Sequence, residues 1–243
     1  MIVFPMAGAS SRFIKAGYDL PKYMLPIGDS SLLALSIGGF SAYFESLPFM
    51  FIYRDIQDTR GFLEGEVARL GIRNPLLVEL DALTGGQAET IALGLRKAAL
   101  EEDSPLSVFN IDTIRPNFQM PTQASIEECD GWLEVFEGEG DNWSFVKPDQ
   151  PGSNRVTHVT EKDPISNLCC TGLYHFASSR TFLDIFDAER AEGPSQAAEF
   201  YVAPLYNRLI AMGQDIRFNL IPSKDVLFSG VPIEYEALRR DLE

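Results

Sequence analysis

Residues 1–22, MIVFPMAGASSRFIKAGYDLPK, decide how the chain is read. Ile2–Pro5 are an apolar run without polar interruption, the pattern of a strand buried on both faces of a parallel sheet. Ala7, Gly8, Ala9, Ser10 and Ser11 follow, all small, and then Arg12. Small side chains let backbone N–H groups approach an anion closely, and arginine offers a fork of donors that fits phosphate oxygens. Pro21 and Lys22 add a second cation on a stiffened backbone. The stretch reads as a strand opening into an anion-binding loop with two positive charges. It carries neither the G-x-x-x-x-G-K-[ST] nor the G-x-G-x-x-G pattern. Taken alone, an ordinary turn with solvated Arg12 and Lys22 accounts for it better, so its weight comes from the segments downstream.

Those segments alternate. Strand patterns at Phe49–Tyr53, Asn74–Leu80 and Leu106–Ile111 are separated by helix patterns at Leu32–Phe44, Asp58–Leu70 and Gly85–Glu101. That alternation predicts an α/β fold with an open, mainly parallel sheet. From residue 116 the pattern changes to short strand-like runs at Gly131–Glu137, Ser144–Val146, Arg155–Thr160 and Leu173–Phe176, which predict a mixed-sheet insert. Helices at Ser178–Arg190 and Ala197–Met212, a strand at Ile216–Ile221 and a helix from Pro232 complete the chain. No linker tract divides it, so a single domain over 1–243 is expected, with a first half at 1–115 and a second at 116–243.

The 243 residues suffice for one good-sized core, and 45% hydrophobic with 23% charged residues is ordinary for a water-soluble globular chain. A net charge of −15 argues against nucleic acid as a partner but leaves room for a small anion in one basic pocket. Cys129, Cys169 and Cys170 have neither disulfide-framework nor zinc-ligand spacing. With no run long enough to span a bilayer and no signal-peptide pattern, the expectation is a cytoplasmic protein without a membrane partner. His158 and His175 sit in strand-like runs and read as structural.

Ligands of open α/β sheets bind at the carboxyl ends of the strands. Here those ends offer the Ala7–Arg12 loop, the Thr84–Gln87 helix start and Asn110-Ile111-Asp112. An aspartate facing a phosphate loop suits Mg²⁺, which prefers hard oxygens, although Asp112 serves equally well as a turn cap. Phe13–Asp19 reads as a surface loop between the two cations, with a lid role open and Gly17 as its hinge.

Taken in order, these segments resemble the sugar-1-phosphate nucleotidyltransferase family, the nucleotide-diphospho-sugar pyrophosphorylases. The family's G-x-G-[ST]-R loop and P-K pair correspond to Gly8–Arg12 and Pro21-Lys22, and its Gly-x-Ala helix opening to Gly86-Gln87-Ala88. Its metal aspartate corresponds to Asp112, its E-K pair to Glu161-Lys162, and its N-x-x-x-x-G-x-Y-x-F run to Asn167–Phe176, with Gly172 in register. SGVPIEYEAL near the end is similar to the family's G-T-P-E-D-Y segment.

The resemblance implies a Rossmann-like fold of the glycosyltransferase-A type without a C-terminal β-helix. It also implies Mg²⁺-dependent transfer of a nucleotidyl group from a nucleoside triphosphate to a sugar-1-phosphate or similar phosphorylated acceptor. In that reading Arg12, Lys22 and Asp112 are catalytic. Ala7, Gly8, Ala9, Ser10, Ser11, Gly86, Gln87 and Asn110 bind the nucleotide. Glu161, Lys162, Gly172 and Glu199 bind the acceptor, with Tyr201 and Asn207 on the same side. A homo-oligomer stays open.

The chain also departs from the pattern. Ser10 replaces the loop's second glycine, and Phe228 stands where the family has a second metal aspartate, leaving Asp225 as a substitute ligand. No base-reading glutamine precedes the third helix, so Thr84 or Gln87 takes that part. Two other readings stand behind the first. A nucleotide-sugar-dependent glycosyltransferase would need a D-x-D motif, of which Asn110-Ile111-Asp112 has only the second acid. A silent nucleotide-sugar-binding protein would fit Phe228.

Overall fold

In the computed structural model the described residues are 1–194 and 199–242. The chain begins β1 (Ile2–Met6), α1 (Ser11–Lys15), α2 (Leu32–Gly38), β2 (Phe49–Tyr53), α3 (Thr59–Leu70), β3 (Pro75–Glu79), α4 (Gln87–Ala98) and β4 (Leu106–Phe109). It continues with β5 (Gly131–Glu137), β6 (Ser144–Pro148), β7 (Val156–Glu161), β8 (Leu168–Phe176), α5 (Ser179–Glu192), α6 (Tyr206–Ala211), β9 (Ile216–Ile221) and α7 (Pro232–Leu242).

Two compact units contain these elements: 1–84 with 109–119 and 224–243, and 85–108 with 120–223. They alternate along the chain instead of dividing at residue 115. The C-terminal segment returns to the N-terminal unit, where Leu227 pairs with Ile114 and Tyr235 packs on Phe13.

In the first unit β1, β2 and β3 lie side by side and parallel, with Met6 opposite Tyr53 and Tyr53 opposite Glu79. Both β1 and β2 are buried along their whole length, which is why each reads as an unbroken apolar run. Phe4 centres this core, with ring centroids of Phe51, Phe40, Phe49 and Phe109 at 5.3, 5.8, 6.2 and 6.3 Å. A second cluster under the N-terminal loop joins Phe13, Leu25, Ile27, Leu32, Ile114 and Tyr235.

The second unit carries a mixed sheet. β6 and β7 are antiparallel, as are β8 and β5, while β9 adds to β5 in parallel. The fold is therefore α/β, open and parallel in the first unit with a mixed sheet in the second.

Three expectations change. The helix predicted through Phe44 stops at Gly38, because Gly39 lies against the backbone of Arg115: a Cβ there would sit 2.2 Å from the Arg115 carbonyl oxygen. The loop predicted over Phe13–Asp19 opens as the helical turn α1. It is tied down rather than hinged as a lid, since Phe13 is buried and the Tyr18 hydroxyl donates to Glu236 Oε1. The helix predicted from Ala197 starts outside the described residues; from Ala203 the chain makes a single 3-10 turn with Pro204 at its start, then α6. Among the described residues, no helix is long and apolar enough to cross a membrane.

His175 is structural. Its ring stacks on Trp132, its Nδ1 lies 2.9 Å from Ser107 Oγ, and burial lowers its pKa to about 4. The three cysteines are free and buried, which pushes the Cys129 and Cys169 thiols up to about 11 and leaves them unreactive.

This packing has consequences for stability. Gly39→Ala should lower it by about 1–3 kcal/mol, read as a lower urea midpoint, because the clash is with backbone that cannot swing away. His175 is neutral when folded but takes a proton near pH 6.5 when unfolded, so stability falls as pH drops from 6.5 towards 4. His175→Phe should remove that part of the pH dependence, worth about 3 kcal/mol over the interval, measured as the difference in urea midpoints between pH 7 and 4.5.

Candidate active site

The first unit brings together the loop after β1, Lys22 and Asp112. Ala7 is buried at the carboxyl end of β1, and Gly8 and Ala9 are exposed beyond it. Ser10 takes the left-handed conformation at φ 50°, where the family's glycine would be unstrained, and its Oγ accepts from the backbone N–H of Lys22 at 3.3 Å. The serine thus exchanges backbone strain for a tie between the two halves of the cradle. Ser11 starts α1, and Arg12 is solvent-exposed, with no hydrogen bond or ion pair to its side chain among the described residues.

Lys22 Nζ and Asp112 Oδ2 form an ion pair at 2.5 Å, each side chain 21% exposed. The loop bearing Asp112 is fixed through its backbone. The buried Ser36 hydroxyl donates to the Thr113 carbonyl at 2.7 Å, with the Asn110 carbonyl 3.2 Å from the same oxygen. Ser229 donates both its N–H and its hydroxyl to the Asp112 carbonyl, at 2.8 and 2.9 Å. Gly230 lies against the carboxylate itself: a Cβ there would be 3.2 Å from Asp112 Oδ2 and 3.7 Å from Glu234 Oε2. Glu234 accepts from the N–H groups of Gly230 and Val231, closing the start of α7.

Asp225 is held differently. Its carbonyl accepts from Arg115 Nη1 at 3.1 Å, and Phe228 bridges to Thr113. Besides Lys22, Asp112 is therefore met by Ser229 and Gly230, with Glu234 holding the Gly230 N–H, and none of these three stands out individually in the sequence. The only signal was the motif-like SGVPIEYEAL run that contains them.

As to metal, the described residues contain no group of three His, Cys, Asp or Glu side chains able to form a cage. Asp112 Oδ1 has no hydrogen-bond partner among the described residues. One free hard oxygen beside a phosphate loop fits a Mg²⁺ that shares its coordination with substrate phosphates, the usual arrangement for that ion.

The second unit gathers Glu161, Lys162, Glu199 and Tyr201. The Glu161 side chain is 7% exposed, and its Oε2 accepts from Ser144 Oγ, which is 3.5 Å from the Tyr174 hydroxyl. Burial raises the Glu161 pKa, against the opposing effects of Ser144 and the neighbouring Lys162. Lys162 has a left-handed backbone at φ 57°, strained for a lysine. Its Nζ donates to the Tyr201 hydroxyl at 2.8 Å and lies 3.9 Å from Glu161 Oε1. Glu199 is exposed, and its carbonyl accepts from the Tyr201 N–H. Asn207 instead serves the sheet edge, exchanging hydrogen bonds with the Val159 backbone.

Gly172 and Gly86 have backbone roles. Gly172 takes φ 95° in the bulge of β8, and Gly86 lets the Phe200 backbone approach, where a Cβ would sit 2.5 Å from its N and O. Gln87 is the first residue of α4 and half-buried.

No protein-family profile matches the chain, and no curated protein matches it significantly. Solved structures do. A UDP-glucose pyrophosphorylase in complex with UDP-glucose shares the fold at TM-score 0.75 and 16% identity, covering 99% of this chain and 97% of its own. An inositol-1-phosphate CTP transferase from T. maritima does so at TM-score 0.72 and 15% identity, covering 99% and 94%. A nucleoside-diphosphate-sugar pyrophosphorylase from Vibrio cholerae RC9 is 48% identical over 99% of this chain and 100% of that one, at TM-score 0.94. With nearly half of all positions shared end to end, the protein belongs to the nucleoside-diphosphate-sugar pyrophosphorylase family.

Proposed function

We propose that the protein transfers a nucleotidyl group from a nucleoside triphosphate to a sugar-1-phosphate, or a similar small phosphorylated acceptor, with release of pyrophosphate. The observation that carries this reading is the Lys22–Asp112 pair, tied through Ser10 to the small-residue loop and Arg12. Two anions must meet in line: an acceptor phosphate oxygen attacks the α-phosphorus, and pyrophosphate leaves. The nucleophile is already charged near neutral pH, so the site needs no general base and works by positioning and charge compensation. Two unit charges 4 Å apart repel by roughly 4 kcal/mol at an effective dielectric of 20, which fixed cations offset.

Arg12 and Lys22 supply that charge on the nucleotide side. Asp112 holds Lys22 in place and offers its second oxygen to Mg²⁺, which, when bound, would neutralise the triphosphate. In the second unit Lys162, held by Tyr201, takes the acceptor phosphate, and Glu161, held by Ser144, accepts from an acceptor hydroxyl.

The reading is tested by pyrophosphate release with each of four nucleoside triphosphates, Mg²⁺ and a panel of sugar phosphates. Release that requires both substrates supports it; sugar transfer from a supplied nucleotide sugar, or tight nucleotide binding without release, defeats it. Asp112→Asn should cut pyrophosphate release by about a hundredfold or more while leaving the melting temperature within a few degrees. Unchanged release would remove Asp112 from the site. Lys162→Ala should raise the acceptor KM by about ten- to a hundredfold and leave the nucleotide KM near its original value, as expected for loss of a charge-assisted contact to one substrate.

A further inference from the structure

Arg54 is the first residue past β2. Because β1 and β2 run parallel with Met6 opposite Tyr53, Ala7 and Arg54 are the next residues beyond the paired carboxyl ends. Arg54 Nε donates to the Ala7 carbonyl at 2.8 Å. That bond uses one of five guanidinium N–H donors and ties the group to the start of the loop after β1.

Among the described residues, no carboxylate lies within ion-pair distance of the half-buried Arg54 side chain. Asp55, next in sequence, is exposed and accepts from the Arg60 N–H at 3.2 Å. The nearby Tyr23 hydroxyl is shared with Thr59 Oγ1 at 2.8 Å, and burial raises its pKa, so it carries no charge near neutrality. Other half-buried arginines are paired with acids: Arg208 with Glu189 and Glu192, and Arg217 with Asp215. A guanidinium fixed by one N–H at the entrance of a small-residue loop, with no acid to satisfy it, is suited to an anionic ligand.

We propose that Arg54 is a third cation of the phosphate cradle, binding the phosphates of the nucleoside triphosphate, and of the pyrophosphate it yields, through its remaining N–H donors. This rests on the nucleotidyl-transfer reading and adds to it a residue outside the loop, the P-K pair and the strand-end aspartate. It places Arg54 on the phosphates rather than on the nucleobase, because its anchor is the first residue of the loop that carries Arg12.

The test is calorimetric titration of inorganic pyrophosphate with Mg²⁺ into the wild-type protein, Arg54→Gln and Arg54→Lys at several ionic strengths. Each protein's melting temperature is recorded, and the titrations are repeated with the nucleoside triphosphate that wild type turns over. Arg54→Gln should bind pyrophosphate about ten- to a hundredfold more weakly, as for a lost hydrogen bond to a charged group. Its affinity should also depend less on salt, since one screened charge contact is gone, and Arg54→Lys should recover part of the loss.

Undiminished pyrophosphate affinity in Arg54→Gln overturns the proposal while leaving nucleotidyl transfer standing. A loss with the wild-type salt dependence and no recovery in Arg54→Lys reduces Arg54 to a strut for Ala7 and also overturns it. A loss for the triphosphate without one for pyrophosphate moves the contact to the base or ribose and likewise overturns it. If wild type itself binds neither pyrophosphate nor any nucleotide, the parent reading falls together with the proposal.

Discussion

The first unit depends on where the Asp112 carboxylate is held. The 2.5 Å pair with Lys22 is partly exposed, and ion pairs of that kind add little net stability once desolvation and side-chain ordering are counted. The protein nevertheless fixes the loop at several backbone points: Ser36 on Thr113, Gly39 under Arg115 and Ser229 on the Asp112 carbonyl. That degree of constraint exceeds what a turn cap needs. It leaves the carboxylate in one position, with one oxygen on a cation and the other open, before any ligand arrives. Preorganisation of this kind lowers the reorganisation cost of binding a second, mobile charge.

Much of this was legible in the sequence, and the boundary of legibility has physical causes. Phe49–Tyr53 is buried on both faces and apolar throughout, so it could be bounded to the residue; Gly131–Glu137 and Ile216–Ile221 were bounded as closely although Glu134, Arg217 and Asn219 interrupt them. Pro21-Lys22 and Asp112 were visible because charge beside small or rigid residues is conspicuous in an apolar context. What stayed hidden depends on long-range approach. The end of α2 is set by the Arg115 carbonyl, 76 positions away from Gly39. Phe13 and Tyr18 have the look of loop residues until Tyr235 returns to pack against them. Arg54 reads as an ordinary polar residue closing a strand, since its meaning lies in the carbonyl of Ala7. Ser229 and Glu234 are masked by the question of which acid replaces the aspartate at position 228.

The residues proposed for the acceptor in the second unit follow the same logic by other means. A buried carboxylate such as Glu161 is costly unless hydrogen-bonded, and Ser144 together with Lys162 offsets that cost only in part, which is why its pKa stays raised. Lys162 accepts a left-handed backbone to bring its ammonium to Tyr201. Strain on a lysine whose charge could otherwise reach water freely is hard to account for by packing. It is intelligible if the ammonium must be held for a phosphate.

If the proposed reading holds, so acidic a chain must bind anionic substrates against its own net charge. At a net charge of −15 the long-range field repels polyanions, and only short-range, fixed donors attract phosphate. Arg12 and Arg54 are free of acids among the described residues, and Lys22 shares its charge with a single aspartate. On the proposed reading, a few fixed cations at one strand edge would favour a small phosphorylated ligand over a polymer.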